Sequence, residues 1–150
     1  MSDIKSPEAR SRNMAAIKGK DTKPEIYLRK KLFKKGFRYR VHSSSVPGHP
    51  DIYSKKYNLA IFVNGCFWHR HKGCKYAYMP KSRIEFWQKK FNANTNRDQQ
   101  VYAQLKEKGV RCLIVWECAI KAAFHSPETE DQLIDSICAF INSSDSFLEI

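Results

Sequence analysis

The chain has 150 residues, of which 42% are hydrophobic, and a formal net charge of +12. This hydrophobic content is too high for a disordered chain, and no stretch approaches the ~20 apolar residues of a membrane-spanning helix. The polar, charged N-terminus does not resemble a signal peptide, so we expect a cytoplasmic protein whose five cysteines are reduced. The length predicts a single folded domain over residues 21–150, preceded by a flexible arm over residues 1–20.

The positive charge is concentrated in the first four fifths of the chain. Residues 1–40 contain 13 Lys and Arg against 4 Asp and Glu, and residues 41–118 contain 13 against 5. Residues 119–150 reverse the balance, with 1 against 6. A surface this basic repels itself, and its usual partner is a polyanion. We therefore predict a nucleic-acid partner; the alternative is a basic surface that only keeps the protein soluble.

The predicted elements follow the order helix, three strands, helix, strand, helix. Thr22 caps the first helix, Glu25 completes a capping box, and Gly36 ends it. Its predicted core residues are Ile26, Leu28, Leu32 and Phe33. Strands are predicted over 37–41, 51–53, 59–63 and 111–116, and the other helices over 82–108 and 126–142. This order indicates an α/β protein with a central mixed β-sheet flanked by helices.

The long predicted helix has one apolar face that two polar residues interrupt. Trp87, Phe91, Val101 and Leu105 recur at helical spacing, and Asn94 and Asp98 fall on the same stripe. A buried polar group without a partner costs about 1–3 kcal/mol, so both residues are expected to meet a polar partner. In the alternative interpretation, the helix is rotated by one residue and exposes both of them.

Cysteine and histidine residues after the third predicted strand have the spacing of metal ligands. Cys66, His71 and Cys74 supply three donors, and Cys118 follows the strand that ends at Trp116. If those two strands are neighbours, Cys118 becomes the fourth ligand of a tetrahedral, structural zinc ion. The alternative is that Cys66 and Cys118 are buried apolar residues and that His71 is a solvated loop residue.

Acidic residues on the neighbouring elements are typical of a nuclease that uses a divalent cation. Asp51 begins the second predicted strand, Glu25 lies on the first helix, and His69 lies in the loop after Val63. Asp51 is positioned to bind the cation, and His69 to accept a proton from an attacking water. Each has a simpler alternative: a turn cap for Asp51, helix capping for Glu25, and a phosphate contact for His69.

These residues belong to a longer pattern that resembles the very short patch repair endonucleases, bacterial enzymes that nick DNA beside T:G mismatches. The resemblance includes Gly-His-Pro-Asp-Ile at 48–52 and Asn-Gly-Cys-Phe-Trp-His at 64–69. The other matching stretches are 11–14, 20–25, 60–63, 85–87, 97–98 and 113–118. The resemblance implies a restriction-endonuclease-like core with a structural zinc site. It also implies Mg²⁺-dependent nicking of one strand next to a T:G mismatch, which initiates very short patch repair.

The resemblance assigns catalytic roles to several positions. Asp51 and the main-chain carbonyl of Val63 would bind a pair of Mg²⁺ ions, and His69 would act as the general base. Glu25 and Asp98 would support the site. Many family members have a second catalytic histidine where this chain has Asn64, and asparagine cannot act as a base or as a charged acid.

The resemblance also assigns the structural and DNA-binding residues. One Zn²⁺ ion would be held by Cys66, His71, Cys74 and Cys118. The residues expected to contact a mismatched DNA duplex are Met14 in the arm, Phe67, Trp68 and Trp87 as an intercalating wedge, and Lys90 and Asn94 at the mismatched pair. The protein would act as a monomer, assisted by mismatch-repair proteins.

Two rival functions remain at this stage. One is a restriction endonuclease of the same fold, which would cut fully paired DNA. The other is a zinc-stabilised DNA-binding module without catalytic activity, for which Asn64 is the strongest argument. The combination of Asp51, Glu25 and His69 argues against a binding module, because binding alone requires no such arrangement.

Overall fold

The computed structural model describes residues 21–150, which form a five-stranded mixed sheet flanked by helices. The strands are β1 (Arg40–Val41), β2 (Ile52–Ser54), β3 (Leu59–Asn64), β4 (Arg111–Trp116) and β5 (Phe147–Glu149). They lie in the order β1-β2-β3-β4-β5, the first three antiparallel and the last three parallel. The helices are α1 (Lys23–Lys34), α2 (Ile84–Glu107), α3 (Glu117–Phe124) and α4 (Pro127–Ile141).

The two faces of the sheet bury different sets of helices. One face packs against α1, α3 and α4 through alternate residues of β3 and β4, which are Leu59, Ile61, Leu113 and Val115. On the other face, Ala60, Cys112 and Ile114 pack against α2 through Val101 and Leu105. The molecule is therefore an α/β sandwich with helices on both faces, as the sequence predicts.

The loop between β1 and β2 passes close to α2 and thereby places Asp51. Gly48 in this loop has φ +82, and a Cβ atom there would lie 2.5 Å from Val101 Cγ1. Glycine is needed at this position both for the left-handed backbone and for the close approach. The chain then enters β2, with Asp51 immediately before its first residue.

The predicted elements are confirmed except at three places. The sequence analysis missed α3 and β5, so the observed order has one more helix and one more strand. The predicted strand over 37–41 is reduced to Arg40–Val41. Ile26 and Phe33 were expected in the core but are 37% and 53% exposed. Leu28 and Leu32, one turn apart, form the buried stripe of α1, and Arg38 covers the Phe33 ring at 3.6 Å.

The arm predicted over residues 1–20, including Met14, lies outside the described residues. Among the helices of residues 21–150, none has the length and hydrophobicity needed to span a bilayer.

Candidate functional site

The functional side chains gather where the parallel strands β3 and β4 end. Asn64 lies opposite Trp116 in the register, so the chain leaves both strands at the same edge of the sheet. Cys66 and Cys118 each follow two residues beyond these positions, and the register therefore brings them together. This confirms the condition on which the four-ligand prediction depended.

Cys66, His71, Cys74 and Cys118 form a cluster whose donor atoms all lie within 4.8 Å of one another. His71 Nδ1 is 3.6 Å from Cys66 Sγ and 3.4 Å from Cys118 Sγ. For Zn–S bonds of ~2.3 Å and Zn–N bonds of ~2.0 Å at tetrahedral angles, sulfur and nitrogen ligands are about 3.5 Å apart. The spacing of these donors matches that geometry, so the cluster can hold a tetrahedral metal ion.

The surroundings of the cluster hold the ring of its histidine in place and favour the protonated form of one cysteine. The His71 ring stacks on the Trp116 indole with centroids 4.1 Å apart and planes at 5°. Burial raises the pKa of the Cys66 thiol to about 12. A buried thiol of this kind becomes a thiolate when a cation binds and supplies the missing positive charge.

Asp51 is anchored to the edge of β3. Its Oδ2 accepts a hydrogen bond of 2.6 Å from the backbone N–H of Val63. Burial, and next the negative charge of Glu25, raise the pKa of Asp51 to about 6. A cation would offset the cost of ionising Asp51 beside Glu25, and carboxylate oxygens are donors that Mg²⁺ prefers.

Glu25 is buried, with 3% of its surface exposed, and its carboxylate is paired with a positive charge. Its Oε2 accepts hydrogen bonds of 2.9 Å from the backbone N–H of Asp21 and from Arg29 Nη2. Thr22 Oγ1 accepts from the N–H of Glu25, so only half of the predicted capping box forms, and the Glu25 carboxylate bonds Asp21 instead of Thr22. Arg29 thus places a positive charge against the buried Glu25 carboxylate.

His69 and Asp98 form a hydrogen-bonded pair across the loop and α2. His69 Nδ1 lies 2.6 Å from Asp98 Oδ2, and both side chains are half-buried. A carboxylate at this distance holds the proton on Nδ1 and leaves the lone pair on Nε2. The pair also borders an open cavity of about 350 Å³ whose other walls include Tyr102, Trp116 and Phe147.

The two polar residues of the α2 stripe both have polar partners. Asn94 Nδ2 donates to the carbonyl oxygen of Trp68 at 3.0 Å, and Asp98 binds His69. The interpretation in which α2 rotates and exposes them is therefore wrong. Asn64 is buried as well, and its Nδ2 donates to the hydroxyl of Tyr102 at 3.1 Å.

The loop after β3 carries an aromatic cluster formed by Phe67, Trp68, Tyr78, Trp87 and Phe91. The Phe67 ring lies at its centre, with centroids 5.1 to 5.4 Å from the other four rings. Trp68 and Trp87 are also within 5.9 Å of each other. Lys90 is exposed on α2, one residue before Phe91. The predicted wedge residues are thus in mutual contact.

Several residues of the site were not found by sequence reasoning. Arg29 contacts Asp21 at 2.8 Å and His42 at 3.1 Å, in addition to Glu25. The spacing of four between Glu25 and Arg29 was the only available signal, and His42 is separated from Arg29 by thirteen residues. Tyr102, which binds Asn64, lies on the apolar side of α2 and has no signal of its own.

The chain is similar to known DNA endonucleases. The sequence profile described as "DNA mismatch endonuclease Vsr" matches residues 2–75. The chain is 42% identical over 120 residues to the type II nicking enzyme V.XorIIP of Xanthomonas oryzae pv. oryzae, covering 80% of this chain and 88% of that protein. It is 42% identical over 121 residues to the DNA mismatch endonuclease Vsr of Escherichia coli K12, covering 81% and 77%. Similarity to V.NmeAIP of Neisseria meningitidis, at 39% identity, extends over 91% of this chain and 97% of that protein.

Similarity of this extent to nicking enzymes and to a mismatch endonuclease identifies the chain as a DNA endonuclease. The chain belongs to the Vsr family of DNA mismatch endonucleases. The resemblance found in the sequence is confirmed, and the interpretation as a non-catalytic binding module is not supported.

Proposed function

We propose that this protein nicks one strand of duplex DNA next to a T:G mismatch, in a reaction that depends on Mg²⁺. The observation that carries the proposal is the position of Asp51 next to the loop after β3. Asp51 accepts a hydrogen bond from the N–H of Val63, and the loop that follows Asn64 carries His69 in contact with Asp98. In this proposal the sheet and helices form a restriction-endonuclease-like core, and the protein acts as a monomer.

The chemistry assigns a separate task to each polar side chain. Asp51 and the carbonyl oxygen of Val63 hold the catalytic cation, and Glu25 increases the negative charge beside Asp51. Bound Mg²⁺ supplies Lewis-acid stabilisation of the charge that develops on the phosphate. His69 Nε2 takes a proton from the attacking water, while Asp98 holds the imidazole orientation and its Nδ1 proton.

Asn64 does not take part in proton transfer in this proposal. Its side-chain amide has no basic site, and its Nδ2 is committed to the Tyr102 hydroxyl. Asn64 instead joins the end of β3 to α2, which carries Asp98. His69 is then the imidazole that we assign to the proton transfer.

The cluster of Cys66, His71, Cys74 and Cys118 is proposed to hold one structural zinc ion. Four protein donors leave no coordination position open for a substrate, so the ion maintains the loop shape only. This loop shape determines where His69 and Phe67 lie, because both fall between the first and the last loop ligand.

Recognition of the mismatch is assigned to the aromatic cluster and its polar neighbours. Phe67, Trp68 and Trp87 would enter the base stack, which costs a few kcal/mol per unstacked step and less where the bases are mispaired. Lys90 and Asn94 would contact the mismatched pair, and Met14 would approach from the arm. The basic surface supplies affinity that is independent of sequence.

A nicking assay on matched duplexes tests this proposal. Two labelled duplexes of one sequence, one fully paired and one with a single T:G mismatch, are incubated with the protein in Mg²⁺ and then in EDTA. We expect a single-strand nick in the mismatched duplex with Mg²⁺ only. Cleavage of both duplexes would favour the restriction-type alternative, and nicking that persists in EDTA would contradict the Mg²⁺ requirement.

A further inference from the structure

Arg70 is placed at the junction of the metal-binding loop, the segment that follows it and helix α2. We infer that Arg70 is a positioning residue that fixes the aromatic cluster in its final arrangement before DNA binds. This inference rests on the proposed function of Phe67, Trp68 and Trp87 as a wedge. It adds a residue for which neither the sequence pattern nor the proposed mechanism supplies a role.

The hydrogen bonds of Arg70 connect two segments that lack regular structure. Nη1 donates to the carbonyl oxygens of Phe67 and Tyr78, both at 3.1 Å, and Nη2 donates to that of Ala77 at 2.8 Å. Phe67 and Tyr78 are themselves members of the aromatic cluster, with ring centroids 5.2 Å apart. One guanidinium therefore holds the backbone of two cluster residues at a fixed separation.

The same guanidinium also packs on the cluster rings. Its Cζ lies 3.9 Å from the centroid of Phe91 and 5.7 Å from that of Phe67. A cation over an aromatic face is favourable, more so when partly desolvated, and the Arg70 side chain is half-buried. Arg70 thus ties the loop to α2 through Phe91 as well as to the segment at 77–78.

These contacts compete with a direct role in DNA binding. Three of the five N–H donors that a guanidinium carries are already committed to backbone carbonyls. The planar fork that would grip a phosphate is therefore largely occupied. The backbone of Arg70 is also left-handed, with φ 54, a conformation that persists in a residue other than glycine only when its surroundings enforce it.

Fixing the cluster in advance changes the energetics of recognition. Side chains that become ordered only on binding lose conformational entropy, and this loss weakens the affinity for DNA. A cluster already held by Arg70 avoids the cost, so more of the binding free energy is available to unstack the mismatched step. Loss of Arg70 should consequently reduce the preference for mismatched over paired DNA more than it reduces the affinity for paired DNA.

The first test uses the free protein and does not depend on the proposed function. The chain contains three tryptophans, two of which, Trp68 and Trp87, lie in the aromatic cluster. Ile137 lies in α4 on the opposite face of the sheet, and its backbone amide serves as an internal reference. In Arg70→Met we expect the indole N–H resonances of Trp68 and Trp87 to shift and broaden, while the Ile137 amide resonance stays unchanged. Unchanged resonances of Trp68 and Trp87 would overturn the inference.

The second test uses DNA with 2-aminopurine next to a T:G mismatch, whose fluorescence increases on unstacking. We expect Arg70→Met to reduce both the fluorescence increase and the ratio of mismatched to paired nicking by about tenfold or more. Lys106→Met, which removes one charge from the exposed face of α2, is the control and should retain the wild-type ratio. A wild-type ratio in Arg70→Met would overturn the inference. A wild-type enzyme without mismatch preference would instead contradict the proposed function.

Arg70→Lys separates positioning from a purely structural role. Lysine keeps the charge over Phe91 but offers no planar fork to bridge the carbonyls of Phe67 and Ala77. We expect this variant to retain its bound metal and melting temperature yet to lose mismatch preference. If Arg70→Met loses the metal, the result for Arg70→Lys decides between the two roles. Full preference for mismatched DNA in Arg70→Lys would overturn the inference. Loss of the metal in Arg70→Lys would overturn it as well.

Discussion

Two candidate cation sites lie at the same edge of the sheet, and their donors differ in kind and in completeness. The cluster of Cys66, His71, Cys74 and Cys118 presents four soft donors within 4.8 Å of one another. The Asp51 site presents one carboxylate held by the backbone of Val63, with the charge of Glu25 nearby. The first set is complete without solvent or substrate, whereas the second requires further ligands. A complete set favours a structural ion and an incomplete set favours a reactive one.

The two sites also differ in how the fold brings their donors together. The register of β3 and β4 places Cys66 and Cys118 side by side, and the segment over residues 67–74 folds back to add His71 and Cys74. Asp51 and Glu25 come from the start of β2 and the start of α1. Each site can therefore be disrupted alone, and the following predictions use this independence, beginning with the largest expected effect.

Asp51→Asn should abolish nicking by removing the charge that holds the cation. A loss of about a thousandfold or more is expected, since cation stabilisation of the developing charge is worth several kcal/mol. DNA affinity and bound zinc should remain as in the wild type. Asp135→Asn, an exposed acidic residue on α4, is the matched control and should nick normally. Normal nicking by Asp51→Asn would disprove the proposed cation site.

Cys118→Ser should have the opposite profile, because it disrupts the complete donor set. A serine hydroxyl is a poor replacement for a thiolate, so zinc content should fall from about one ion per chain towards zero. The free energy of unfolding should decrease by about 3 kcal/mol or more, since metal binding and folding are coupled. Cys138→Ser, a half-buried cysteine on α4 outside the cluster, is the control. Equal metal content in the two variants would contradict the assignment of Cys118 as a ligand.

Asp98→Asn should slow the chemical step and leave both cation sites filled. An asparagine amide at this position can present its NH₂ to His69 Nδ1, which favours the tautomer with the proton on Nε2. That tautomer cannot accept a proton from water, so the single-turnover nicking rate should fall about a hundredfold. Mismatch affinity should hardly change. A variant with the wild-type rate would show that the contact between His69 and Asp98 has no catalytic role.

The smallest expected effect concerns stability, and it links Asp51 to its cation. The pKa of Asp51 is about 6 in the folded protein, against 3.8 for an unperturbed aspartate. The folded state therefore binds more protons than the unfolded state between these values, and its stability falls as the pH rises through this window. Above pH 6 the ionised Asp51 lowers the free energy of unfolding by about 2 kcal/mol, which is most of the value that the pKa shift implies. In the absence of metal, Asp51→Asn should therefore stabilise the fold at pH 7 and have no such effect near pH 3.

Added Mg²⁺ provides the check on this prediction. The cation binds only the wild-type carboxylate, so it should raise the melting temperature of the wild type and leave Asp51→Asn unchanged. If Asp51→Asn is no more stable than the wild type in EDTA at pH 7, the ionised Asp51 does not destabilise the fold and the prediction is contradicted.

The sequence predicted which side chains lie close together after β3 better than it predicted the elements around them. Residues 64–74 combine metal-ligand spacing, a histidine and aromatics, and such local patterns need no knowledge of the fold. Helix α3 was missed because it begins directly after β4 at Trp116 without a side-chain cap. Strand β5 was missed because Phe147–Glu149 is short and forms only by pairing with β4. Such an element depends on a partner that is distant in sequence, and no local signal reveals it.

The helix α1 shows the same limitation at the level of single residues. Ile26 and Phe33 are as apolar as Leu28 and Leu32, yet only the two leucines face the sheet. The direction of a helix face depends on the rotation of the whole helix, which is set by the packing of Leu28 and Leu32 against the sheet. The network of Arg29 with Asp21 and His42 forms only in three dimensions, so its role could not be predicted from spacing.

Metal removal and restoration tests the division between the two sites most directly. The purified protein is dialysed against EDTA, its zinc content is measured, and nicking of a T:G duplex is assayed after the addition of Mg²⁺ alone. We predict that about one zinc ion per chain is retained, since its four ligands are all supplied by the protein, and that nicking recovers fully. A folded, zinc-free protein that nicks with Mg²⁺ alone, or nicking that returns only when zinc is added, would contradict this division.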